Sequence, residues 1–70
     1  MNTKGNKMLT FKDRMRVEHQ ELTYRIMKLH DFLWGEIFNG LDARDKELMI
    51  EQYAHMKAYA NALVERIARS

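Results

Sequence analysis

The chain is 70 residues long, lacks cysteine and proline, and carries a formal net charge of +2. Such a chain makes one small domain with no disulfide framework, thiolate nucleophile or zinc–thiolate site. No apolar run exceeds three residues, which excludes a membrane span, and the opening MNTKGNKM lacks the apolar stretch of a signal peptide.

A soluble, cytoplasmic protein is the expectation. The charge is uneven. Residues 1–30 carry seven Lys/Arg against three Asp/Glu, and residues 31–70 carry five against seven. Residues 1–9 read as a flexible basic tail and residues 10–70 as a single helical domain. Lys4, Lys7, Lys12, Arg14 and Arg16 form a basic arm that could meet a nucleic acid, although a duplex-tracking domain usually carries a larger positive excess.

The first predicted element is a helix over 10–34. Thr10 and Asp13 are spaced as a capping box, with Asp in place of the preferred Glu. Met15, His19, Leu22, Ile26, Leu29 and Leu33 then recur at four- and three-residue steps, the signature of one buried stripe. At about 100° per residue, Val17, Tyr24, Met27, Trp34 and Phe38 fall on a second apolar face. The opposite flank is charged, with Arg14–Glu18 and Glu21–Arg25 as candidate i,i+4 pairs. GEIFNG follows, bracketed by Gly35 and Gly40, and reads as a turn with a short helical segment at 36–39.

The second long helix is expected over 43–69, with Asp42 at its N-cap and Arg66 and Arg69 near its negative end. Met49, Tyr53, Met56, Ala60, Leu63 and Ile67 form its buried stripe. Beside it runs another line, Leu48, Gln52, His55, Tyr59, Ala62 and Arg66. The architecture is all-α: two long antiparallel helices in a hairpin, with a short N-terminal arm. A hairpin this small buries one stripe per helix. Leaving Tyr24, Met27, Trp34 and Phe38 in water would expose a large apolar patch, so assembly into a helical homo-oligomer is expected.

Catalysis has little support. Glu51/His55 and Glu18/His19 do not have the Glu-x-x-His spacing of a di-iron bundle, and His19 reads as a core or interface histidine. No hydroxyl sits in a nucleophile elbow or phosphate loop, and one hairpin encloses no cavity. Neither an enzyme, a metal site nor a cofactor is expected. The line Gln52, His55, Tyr59, Arg66 leaves two readings open. It is an ordinary helix–helix flank, or it meets another subunit to form a pocket with rings for base stacking, an amide for base edges and guanidinium groups for phosphate.

RVEHQELTYRIMKLHDFL, an aromatic-containing turn and ELMIEQYAHMKAYANALVERI together resemble a family of short phage proteins. The pattern falls on Arg16, Glu21, Leu22, Arg25, Ile26, Lys28, Leu29 and Phe32, then on Leu48, Gln52, Met56, Tyr59, Leu63, Arg66 and Ile67, covering about residues 10–68. The Leu, Met and Phe positions are those of any hairpin; Arg25/Lys28 and Gln52–Tyr59–Arg66 are more specific.

That family includes the second class of anti-CBASS proteins, sponges that sequester cyclic di- and trinucleotides and so block a bacterial anti-phage signalling system. The resemblance implies a non-catalytic homohexamer in the cytoplasm of the infected host, with separate pockets for the two ligand classes. It implies a dinucleotide pocket using Lys28 and an aromatic for which Phe11 is the nearest candidate, without a tyrosine hydroxyl. It implies a trinucleotide pocket drawing on Arg66 and His30. The rivals are a phage adaptor that binds a host protein through Trp34, Phe38 and Tyr24, and a weak nucleic-acid binder using the basic arm.

Overall fold

A computed structural model of the chain describes residues 10–70. The basic tail of residues 1–9, with Lys4 and Lys7, lies outside the described residues. Helix α1 spans Phe11–Leu33, the single turn α2 spans Glu36–Asn39, and α3 spans Ala43–Arg69. The described residues contain no strand.

Helix α1 starts where the capping box places it. The Asp13 backbone N–H donates to Thr10 Oγ1 at 3.0 Å, and the Thr10 N–H donates to the Asp13 carboxylate at 3.4 Å. These satisfy two of the donors that a helix start leaves unpaired. The Asp42 carboxylate does the same for α3, accepting from the Asp45 N–H at 2.9 Å. Arg66 and Arg69 sit in the last turn of α3, against the negative end of its dipole.

Between the long helices the chain turns through Trp34 and Gly35, whose N–H groups donate to Asp31 O at 3.3 Å and Phe32 O at 3.0 Å. Gly35 is needed for closeness, not for a left-handed backbone. It has φ −94°, and a Cβ there would approach Phe32 O to 3.3 Å.

The helices run antiparallel. Lys12 Nζ donates to the Ser70 carbonyl at 3.3 Å at one end, and the His30 and Tyr53 rings lie 6.0 Å apart nearer the turn. Met15, Leu22 and Leu63 form the buried cluster, with Ile26, Met56, Ala60 and Ile67 packed around it. Both expected stripes supply these residues, and His19 is half-buried within the first.

Two expectations need correction. Phe38 is buried, not part of an outward face. The periodicity of α1 was carried across Gly35, where the helix stops; α2 restarts and turns Phe38 inward, edge-on to Phe32 at 6.4 Å between ring centroids. The charged pairs also differ. Among the described residues the ion pairs are Arg16–Asp13 at 3.6 Å and Arg44–Glu47 at 3.3 Å, His30 Nδ1 lies 3.7 Å from the Asp31 carboxylate, and neither Arg14–Glu18 nor Glu21–Arg25 forms. At exposed positions such pairs contribute little and side-chain entropy easily outweighs them.

Burial is thin. Among the described residues four apolar ones, Met15, Leu22, Phe38 and Leu63, are buried, while Val17, Tyr24, Met27, Trp34, Ile37, Leu48, Ile50, Tyr59 and Val64 are all exposed. The second face of α1 therefore exists, less Phe38, and an apolar surface on α3 accompanies it.

Candidate ligand surfaces

The candidate residues occupy different stations along the hairpin. Phe11 opens α1 and is 58% exposed. The guanidinium carbon of Arg66 lies 5.6 Å from the centroid of that ring, within cation–π range. This contact joins the first residue of α1 to the last turns of α3, beside the Lys12–Ser70 bond. Arg66 has no carboxylate partner among the described residues.

Lys28 is exposed on α1, with its ammonium 5.4 Å from the centroid of the exposed Tyr24 ring one turn earlier. Seventeen positions separate Phe11 from Lys28, or about 25 Å along an α-helix, so the two do not meet within one protomer.

His30 faces the turn end. Its Nε2 accepts from Trp34 Nε1–H at 3.1 Å, which requires that nitrogen to carry no proton. Trp34, Tyr53, Leu33, Phe38 and Ile50 join His30 around a concavity of about 320 Å³, predominantly apolar. Arg66 is at the other end of the hairpin, so His30 and Arg66 do not meet within one protomer either. Gln52 and Tyr59 lie exposed along the same face of α3 as Arg66. The Gln52 amide makes only a long contact to Met56 Sδ at 4.0 Å, which leaves most of its hydrogen-bonding capacity free.

The structure thus brings Phe11 to Arg66 and keeps Lys28, His30 and Gln52 apart from them. Pockets combining Phe11 with Lys28, or Arg66 with His30, require residues from more than one copy of the chain. Sequence reasoning missed the aromatic surroundings of His30. The four-residue spacing of His30 and Trp34 signals their contact, but Tyr53 read only as a stripe residue. A shallower depression is lined by Gln20, Glu21, Tyr24 and Arg25.

Among the described residues one titratable group is clearly perturbed. Hydrogen bonds from the Thr10 side chain and backbone, aided by the charges of Arg16 and Lys12, hold the Asp13 carboxyl below the usual carboxylate range. It caps a helix and touches none of the candidate residues. No group of three or more His, Asp or Glu side chains among the described residues is arranged to hold a metal ion. No helix among them is long and apolar enough to cross a membrane.

The Sequestin family matches residues 9–69. The chain belongs to that family. Sequestin membership agrees with the phage sequestering family expected from the residue pattern. The chain is also similar to a 7.5 kDa protein of Enterobacteria phage T4, described as uncharacterized and encoded in the denB-rIIB intergenic region. The two are 36% identical over 62 residues, covering 89% of this chain and 97% of the relative. No solved structure matches the chain.

Proposed function

We propose that this Sequestin-family chain is a non-catalytic phage sponge that captures host cyclic di- and trinucleotides and so suppresses CBASS defence in the cytoplasm of the infected bacterium. The observation that carries the proposal is the pairing of exposed rings with cations, Phe11 with Arg66 and Tyr24 with Lys28, in a chain of a sequestering family. A ring presents a face for a base, and a guanidinium or ammonium group free of carboxylates presents charge for a phosphate. The dinucleotide site uses Phe11 and Lys28. The trinucleotide site uses His30 and Arg66, with Gln52 and Tyr59 lining the face between subunits.

Assembly as a homohexamer is part of the same reading. Two thinly packed helices leave Val17, Tyr24 and Met27 uncovered on α1, Trp34 at its C-cap, and Leu48, Ile50, Tyr59 and Val64 on α3. In a chain of this size, covering such faces with further copies is the available route to stability. It would also bring together the candidate residues that one protomer keeps apart. Capture needs no turnover: an abundant binder lowers free ligand, and with it the occupancy of any effector, by mass action.

Calorimetry against a panel of cyclic di- and trinucleotides, with a linear dinucleotide and a DNA duplex as controls, tests the proposal. Heat with at least one cyclic ligand is expected. Silence across all of them would sink the sponge reading, and heat with duplex alone would favour the basic arm as a nucleic-acid contact. A second reading, an adaptor for a host protein, draws on Trp34, which is 79% exposed at the turn end. It loses Phe38, which is buried, and keeps Trp34 and Tyr24 as its contacts.

A further inference from the structure

The Phe11–Arg66 contact joins two residues that the sponge reading assigns to different ligands. The Thr10–Asp13 capping box fixes the backbone that carries Phe11 where its helix begins. The Arg66 backbone is equally fixed, flanked by Leu63, which is fully buried, and by Ile67, which packs on the core. The longer arginine side chain has the greater freedom. It is exposed, it has no carboxylate partner among the described residues, and its guanidinium lies over the phenyl ring.

We infer that Arg66 is a displaceable lid on Phe11, covering in the free protein one face of the ring, the face that a base would stack upon. The inference rests on the sponge reading for its ligand. A base that stacks on that face of Phe11 must first move the guanidinium aside. A ligand whose phosphate recruits Arg66 moves it aside as well, and uncovers the ring in doing so. Both ligand classes therefore meet one common cost, the loss of an exposed cation–π contact. Whichever binds first removes that cost for the other. The coupling is positive, and linkage makes it reciprocal. Its size is that of the contact, roughly a two- to fivefold change in affinity.

The sign separates a lid from a phosphate ligand. If Arg66 only covers Phe11, Arg66→Ala uncovers the ring and strengthens dinucleotide binding. If Arg66 holds the dinucleotide's phosphate, the same substitution weakens binding, by about ten- to a hundredfold for a charge-assisted bond. Arg66→Lys separates charge from planarity, since an ammonium retains the charge but stacks less well on a ring.

The experiment is calorimetry with cyclic GMP-AMP on the full chain, on Arg66→Ala and on Phe11→Leu, with oligomeric state and helicity checked for each. Arg66→Ala is expected to tighten binding about two- to fivefold. Phe11→Leu is expected to weaken it, and adding Arg66→Ala to Phe11→Leu is expected to bring no gain. Unchanged or weaker binding by Arg66→Ala overturns the lid. If the intact protein takes up no cyclic dinucleotide, the sponge reading fails for that ligand, and the lid is decided without one. The Arg66 side-chain protons should be shifted upfield by the ring current of Phe11 and return to ordinary positions in Phe11→Leu. Resonances already unshifted in the intact protein overturn the lid by themselves.

Discussion

Replacing Trp34 by alanine tests whether assembly covers the outer face of α1. Trp34 is 79% exposed, and its indole holds one hydrogen bond, to His30 Nε2 at 3.1 Å. A tryptophan side chain offers roughly 250 Å² to burial, so about 200 Å² of it awaits a partner in the isolated hairpin. At about 25 cal/mol per Å², full coverage would contribute about 5 kcal/mol for each buried copy. Truncating a well-buried aromatic ring costs about 3–5 kcal/mol, so the association constant per interface should fall by roughly two to three and a half orders of magnitude. The protomer itself should lose under about 1 kcal/mol, since its own contacts leave the ring mostly wet. Sedimentation equilibrium from nanomolar to near-millimolar protein, with circular dichroism at each concentration, measures both quantities. A helical monomer that persists across the range in the unsubstituted protein, or an assembly indifferent to the change, refutes the reasoning.

The remaining predictions concern the core, the first cap and the ligands. Leu63→Ala removes a fully buried side chain from a cluster of three and should cost about 2–5 kcal/mol, read from urea unfolding; a loss under about 1 kcal/mol would mean that the stripe packs differently. Asp13 titrates below the ordinary carboxylate range when folded, so its contribution is present above that range and disappears as the pH falls through the depressed folded value. In a pH titration of helicity, Asp13→Asn should lack that acid-side component, and identical acid limbs in both proteins would count against the cap. Lys28→Ala should weaken cyclic dinucleotide binding roughly ten- to a hundredfold and spare trinucleotides, whereas Arg66→Ala should weaken trinucleotides by a similar factor. Parallel losses with a common salt dependence would instead indicate a shared positive surface.

Much of the fold was legible because it depends on local spacing. Thr10 with Asp13, Asp42 with Asp45, and the four-three recurrence from Met15 and from Met49 each concern residues within a turn or two of one another. Their outcome depends little on what the rest of the chain does. Phe38 failed for the complementary reason: its face was computed from a helix that Gly35 had already ended. The contacts of Phe11 with Arg66 and of His30 with Tyr53 depend on the register between α1 and α3. That register is set by the path through residues 34–42, and no pattern within either helix encodes it. The candidate site was legible as residue types but not as neighbourhoods. Its members are exposed, so burial periodicity says nothing about which of them face one another.

The position of the Met15–Leu22–Leu63 cluster governs the order in which the chain can fold. The cluster lies towards the open end of the hairpin, away from the turn. Among the described residues, a chain zipping up from GEIFNG would find Phe38 as its one buried apolar side chain before reaching the cluster. The contacts that hold the long helices together join residues about forty positions apart, and closing such a loop costs about 3 kcal/mol of chain entropy. The barrier to folding therefore lies in bringing the two chain ends together, not in forming the turn. Shortening α3 at its C-terminal end should slow folding out of proportion to the few residues removed, while loosening the turn should leave the rate nearly unchanged.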